Sequence, residues 1–176
     1  MSLSDKAGSR SRSIGAFASA LLLTALAGCQ VRPLYSEGST GATSAALASI
    51  EISEADSRVE QEVRNALIFL TSGGQGEPSN PQYHLALEVS RKTMGVLYDQ
   101  ASDRAAAGRI VVKADYNLTK TATGETVKSG NRLAVALVDF PRQDFAKIRA
   151  VRDGENRAAK ELAEIIRADI AAALGR

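Results

Sequence analysis

The chain has 176 residues, 44% of them hydrophobic, with 22 basic and 20 acidic residues and a formal net charge of +2. That length suits one domain able to bury a core. The single cysteine and single histidine leave no pair for a disulfide and no Cys/His cluster at metal-ligand spacing.

Lys6, Arg10 and Arg12 precede the fourteen-residue run Ile14–Ala27 (IGAFASALLLTALA), which closes in Leu26-Ala27-Gly28-Cys29. A basic start, a short apolar run and small residues are the zones of a secretory signal. The run is shorter than the roughly 20 residues of a spanning helix. Its ending reads as a lipobox, so cleavage is expected between Gly28 and Cys29. Cys29 is then expected to carry diacylglycerol and an acyl chain such as palmitate. The other reading is a buried N-terminal helix with a core cysteine. Removing residues 1–28 takes away the whole excess charge and leaves 19 basic and 19 acidic residues. A neutral mature chain offers no electrostatic case for a nucleic-acid partner or a polybasic membrane anchor. The lipid itself is the expected membrane attachment.

Residues 29–47 follow as acylated N-terminus and tether, because the Ser/Gly/Thr/Ala-rich stretch from Ser36 to Ser44 can bury little surface. The domain proper is expected over 48–176. Ala48–Ser53 alternates as a first strand. Asp56 or Ser57 is placed to cap a helix whose stripe is Val59, Val63, Ala66, Leu67 and Leu70, with Glu60, Glu62 and Arg64 away from it. That helix stops at Thr71-Ser72-Gly73-Gly74, and Gly73 to Pro81 is a linker lacking the Gly-Lys-Ser/Thr of a P-loop.

Three strands come next. Tyr83, Leu85, Leu87 and Val89 share one face, opposite His84, Glu88 and Ser90, and the strand can continue to Tyr98. Asp99–Gly108 is expected to turn the chain. Val112, Ala114, Tyr116 and Leu118 alternate with polar residues, and Thr121–Glu125 makes a tight hairpin at Gly124. In the strand Thr126–Asp139, Leu133, Val135 and Leu137 are expected to face in, while Ala134 and Ala136 fit either face. After Pro141 a helix carries Phe145, Ile148, Ala159, Leu162, Ala163, Ile166, Ile170 and Leu174 on one side, with Gly154 a weak point or kink. The order is β-α-β-β-β-α. It predicts an α+β domain: a four-stranded, mostly antiparallel sheet covered on one face by two helices.

No catalytic constellation is visible. His84 lies on a polar strand face with neither nucleophile nor orienting partner marked. Asp99 and Asp103 lack a calcium-loop pattern, and no Gly-x-Ser-x-Gly elbow occurs. No catalytic residue, metal site or non-covalent cofactor is therefore assigned.

The mature start Cys29-Gln30-Val31-Arg32-Pro33-Leu34-Tyr35 resembles the lipopolysaccharide-assembly lipoprotein family LptE, in its alphaproteobacterial form. So do Arg58-x-x-Gln61-x-x-Arg64-Asn65-x-Leu67, Tyr83-x-Leu85, Ala114-x-Tyr116-x-Leu118 and the alanine-rich last helix. Asp144-Phe145-Ala146 and Gly154 depart from the usual pattern. The resemblance implies a non-enzymatic lipoprotein on the periplasmic side of the outer membrane. Such proteins plug an LptD-like β-barrel, help it assemble and take part in lipopolysaccharide transport. Gln30 after the cysteine accords with outer-membrane sorting. Other expectations are a different non-enzymatic envelope lipoprotein, a transport or barrel-assembly accessory subunit, and more remotely a lipid-anchored hydrolase.

A meander of the last three strands brings two junctions to one end of the sheet. Arg104, Arg109, Arg142, Lys147 and Arg149 are expected to gather there and to contact the phosphates of lipopolysaccharide through charge-assisted hydrogen bonds.

Overall fold

The alternating segments become strands of one sheet, and the two periodic segments become helices on one of its faces. The computed structural model describes residues 41–99 and 104–175. The elements are α1 (Ala42–Ala48), β1 (Ile50–Ile52), α2 (Arg58–Ser72), β2 (Tyr83–Asp99), β3 (Arg104–Lys120), β4 (Thr126–Asp139) and α3 (Asp144–Leu174). The sheet order is β1-β2-β3-β4. β1 runs parallel to β2, with α2 as the crossover, and the other neighbours are antiparallel. The expected α+β architecture is present, with a third, short helix in front.

That helix corrects the tether. Residues 42–47 were expected to stay unstructured, yet α1 forms from ATSAALA, where alanine has the highest helix propensity. Leu47 is buried in the common core, and α1 lies against both other helices. The first strand shortens accordingly to Ile50–Ile52. Cys29, Gly28, the signal segment and the tether up to residue 40 lie outside the described residues.

Local chemistry explains the bounds of α2. The Ser57 hydroxyl accepts the Glu60 amide (3.3 Å), and Glu60 Oε2 accepts the amide of Asp56 (3.1 Å), a reciprocal cap that buries Glu60. Glu60 was expected on the outer side, and its cap role draws it in. At the other end Gly73 takes the left-handed conformation (φ 63°) that favours glycine. Val59, Val63 and Leu67 are buried, each worth roughly 1.5–3 kcal/mol of transfer free energy.

The loop after α2 is more than a linker. Arg64 donates to the Ser53 carbonyl (2.9 Å) and pairs with Glu77 Oε2 (2.6 Å), while Glu77 Oε1 accepts the Ile52 amide (3.1 Å). A loop carboxylate thus occupies a donor on the β1 edge that would otherwise be open to another strand.

Strands β2 and β3 are longer than the alternation suggests. Asp99–Gly108 was expected to be a turn, but the ladder runs on through Gly95↔Gly108 and Tyr98↔Ala105 to Asp99↔Arg104. The Ala/Gly run Ala105–Gly108 has weak strand propensity of its own, and pairing decides its conformation. The Phe140 ring also lies over Gly108, where a β-carbon would collide with it. Since β4 ends at Asp139 opposite Ala107, the hairpin projects beyond the rest of the sheet.

The inward face of β4 is the reverse of the expectation. Ala134, Ala136 and Val138 are buried, whereas Leu133, Val135 and Leu137 are 53%, 39% and 67% exposed. The small residues face α3 because the helix comes too near for leucine. A β-carbon at Gly154 would lie 2.5 Å from Val138 Cγ1 and 2.7 Å from Ile110 Cδ1. Gly154 is accordingly no kink: α3 is one helix from Asp144 to Leu174, and the glycine is its point of closest approach. Phe145 and Ile148, expected inside, are 86% and 53% exposed because α3 begins beyond the sheet's buried face.

Candidate functional site

Ser57 caps α2 and Arg58 begins it, Val89 and Arg91 lie on the helix-facing side of β2, and Lys147, Ile148, Val151, Arg152 and Glu155 belong to the first half of α3. Together they line an open groove of about 640 Å³, within the roughly 300–1,000 Å³ of small-ligand clefts. At its base the Glu155 side chain is only 5% exposed. One of its oxygens receives Arg58 Nη2 and the other lies 3.1 Å from Arg91 Nε. Arg58 Nη1 also donates to Asn156 Oδ1 at 2.8 Å. A buried carboxylate needs partners of this kind to stay charged. Here it joins α2, β2 and α3 at one point.

Arg152 and Lys147 add two more cations to the same groove, and Lys147 Nζ stands 4.7 Å from the centre of the Phe140 ring. Between the charges the floor is apolar, formed by Val59, Val89 and Val151, with Ile148 on the rim. The arrangement is a cationic, partly apolar trough in which the one acid is already used by two arginines. It can attract an anion with hydrocarbon attached.

The five basic residues expected at one end of the sheet are divided by the fold. Arg104 opens β3 opposite Asp99, Arg142 lies between β4 and α3, and Lys147 and Arg149 belong to the first turns of α3. Arg109, between buried Gly108 and Ile110, points to the open face beside Met94 and Leu137. Lys147 lines the groove on the helix side. The end of the sheet is shared, but its faces are not.

Arg58, Arg91, Arg152 and Glu155 were not singled out from the sequence. One signal for Glu155 was present: 155, 159, 162, 166 and 170 continue a single helical stripe, so a glutamate stands in core phase.

On the open face, His84 Nδ1 lies 3.6 Å from Glu51 Oε2, an exposed pair across the β1–β2 ladder. Among the described residues no group of acidic, histidine or cysteine side chains could hold a metal ion, and no helix is long and apolar enough to cross a membrane.

A second polar cluster fixes the other half of α3. The Tyr116 hydroxyl donates to Asp169 Oδ2 (2.8 Å), and Arg132 Nε pairs with the same oxygen (2.7 Å). Burial, then the bond to Asp169, pushes the phenol up to about 12. Burial opposes ionisation of Asp169 as well, but hydrogen bonds from Tyr116 and Arg132 outweigh it and hold the carboxyl below its ordinary value.

No protein-family model matches the chain, and no curated protein matches it. Among solved structures, a candidate lipoprotein from Caulobacter crescentus is similar with a TM-score of 0.62 at 27% identity, over 75% of this chain and 95% of that one. A minor lipoprotein from Acinetobacter baumannii gives a TM-score of 0.50 at 14% identity, over 70% and 88%. The rare lipoprotein B from Shewanella oneidensis gives 0.50 at 15%, over 70% and 92%. The last two bear on fold alone. The α+β fold of this chain is therefore similar to that of three proteins described as lipoproteins.

Proposed function

We propose that this protein is an LptE-type lipoprotein, anchored through acylated Cys29 to the periplasmic side of the outer membrane. There it plugs and assists assembly of an LptD-like β-barrel and takes part in lipopolysaccharide transport. The observation that carries the reading is a lipoprotein-type fold, shared over 95% of the Caulobacter chain, lying downstream of a lipobox. The fold is also similar to that of rare lipoprotein B from Shewanella oneidensis. In support, motif residues of the resemblance have structural work in this fold: Arg58 holds Glu155, Arg64 holds the β1 edge and Leu67 is in the core. The role is non-enzymatic, a matter of contact and position.

The test is affinity purification of the tagged protein from detergent-solubilised outer membranes, with partners identified by mass. An LptD-like barrel is expected in the eluate. An eluate without a large β-barrel protein, from membranes that contain the tagged protein, overturns the barrel reading. Cys29→Ser is expected to abolish incorporation of labelled palmitate and leave the signal uncleaved.

A further inference from the structure

We infer that the outer edge of β4 is an interaction surface for a second copy of this chain, joined strand against strand about Val135.

Backbone direction comes first. The Phe140 amide donates to the Ala106 carbonyl (2.8 Å), in step with the β3–β4 register. Peptide groups alternate in direction along a strand, so Ala134, Ala136 and Val138 bond to β3. Asn131, Leu133, Val135 and Leu137 therefore turn their N–H and C=O groups outward. Two side chains agree with this phase. Arg132 Nη1 donates to the Asn131 carbonyl (2.9 Å), and Arg157 Nη2 donates to that of Leu137 (3.1 Å). β4 closes the sheet order, so its outward N–H groups have no strand beside them.

This edge is not guarded in its sequence. Sheet edges are ordinarily blunted by charge, proline or a bulge, or by a covering group such as Glu77 at β1. Leu133–Val138 (LAVALV) holds no charge, proline or glycine, and its register with β3 is unbroken. Leu133, Val135 and Leu137, which turn their backbone outward, also expose their side chains on the open face. Backbone donors and apolar side chains thus meet one incoming strand together.

Self-complementarity selects the occupant. Paired antiparallel about Val135, the strand sets Val135 against Val135 of the second copy, Leu133 against its Leu137 and Leu137 against its Leu133. Each pair exchanges both backbone hydrogen bonds. Beyond them the Asn131 amide meets the Asp139 carboxylate. A centre at Ala134 would put Leu137 opposite Asn131, and a centre at Ala136 would put Leu133 opposite Asp139. Cross-strand apolar pairs favour the register that wastes neither leucine. The contact is isologous, with its two-fold axis at Val135. Arg157 has to leave the Leu137 carbonyl as the strands meet. The inference goes beyond the proposed function and does not rest on it.

The test is cysteine cross-linking of the full chain in membranes of cells that produce it. Variants are oxidised with copper phenanthroline and read on a non-reducing gel. Residues of a hydrogen-bonded antiparallel pair stand about 5.5 Å apart at Cα, inside the range of about 4.4–6.8 Å for disulfides. A band at twice the protomer mass is expected from Val135→Cys, and from Leu133→Cys co-produced with Leu137→Cys. Neither leucine variant alone is expected to give it, since each stands opposite the other position. The parent, whose one cysteine is Cys29, is expected to give none. Leu133→Pro added to Val135→Cys removes an outward N–H that the sheet does not use. It is expected to slow cross-linking by about tenfold or more. Leu133→Glu/Leu137→Glu added to Val135→Cys sets acids against each other across the contact and is expected to do the same, with unchanged circular dichroism. Arg157→Ala is expected to speed the reaction. No doubled band from Val135→Cys overturns the inference. So do equal bands from all three single cysteines, which mark random collision, or a cross-link to a protein of another mass, which marks a different occupant. Undiminished cross-linking in the folded glutamate variant overturns it as well.

Discussion

Gly154 of α3 faces Val138 of β4 so closely that a β-carbon at position 154 would stand 2.5 Å from Val138 Cγ1. Valine is stiff about its one side-chain torsion and cannot turn that methyl away at no cost. Gly154→Ala gains roughly 1 kcal/mol of helix propensity, but overpacking opposes it by about 1–3 kcal/mol. The expected net result is a loss of about 1 kcal/mol, and a larger loss for the branched Gly154→Val. Urea unfolding of the two variants beside the parent checks it. A Gly154→Ala protein more stable than the parent would show that the helix can move away from β4.

Glu155 sets a second expectation. Arg58→Ala or Arg91→Ala alone leaves the buried carboxylate one partner, whereas the double variant leaves it none. An unpaired buried charge costs about 3–5 kcal/mol, so the double variant is expected to lose more than the two single losses added together. A double-mutant cycle on unfolding free energies measures this coupling, and strict additivity would show that solvent replaces the arginines.

Tyr116 gives an alkaline dependence with a definite sign. Its phenol is pushed up to about 12 in the folded state, against about 10 in an unfolded chain. Below pH 10 both states hold the proton and the stabilisation is complete. Between pH 10 and 12 the unfolded state binds fewer protons than the folded one, so stability falls as pH rises, by up to about 2–3 kcal/mol. Tyr116→Phe is expected to remove this part of the slope. Denaturant midpoints at pH 9 and pH 11 for both proteins, with absorbance titration of the phenolates, supply the comparison.

The exposed stripe on β4 leads to a contrast between neighbours. Leu137→Ser, on the open face, is expected to change stability by less than about 0.5 kcal/mol. Ala136→Leu, one residue away and under α3, is expected to cost about 1–3 kcal/mol. Thermal unfolding of both decides which face of the strand is inside.

Periodicity was enough to read the element order, the α2 stripe, the Gly124 hairpin and the alternation of Val112 to Leu118, because each is a local pattern with one dominant period. Polarity was a poor guide to facing in β4, where both faces carry apolar residues and only side-chain size separates them. The alanines face in because a glycine-bearing helix presses on them, and the leucines are left outside. Nor could composition show that ATSAALA becomes a helix, since Leu47 has to find α2 and α3 first. The groove was legible only in part. Lys147 was noticed as a charge, but its companions Arg58, Arg91 and Arg152 are far from it or unmarked in sequence. What the amino-acid sequence determined by itself was the architecture, the order of strands and helices along the chain. What the tertiary structure decided was which apolar face is covered and where Arg58 and Arg91 meet Glu155, in a groove that Lys147 and Arg152 also line. Both depend on elements distant in the chain packing to within a methyl group of each other, a distance no local pattern encodes.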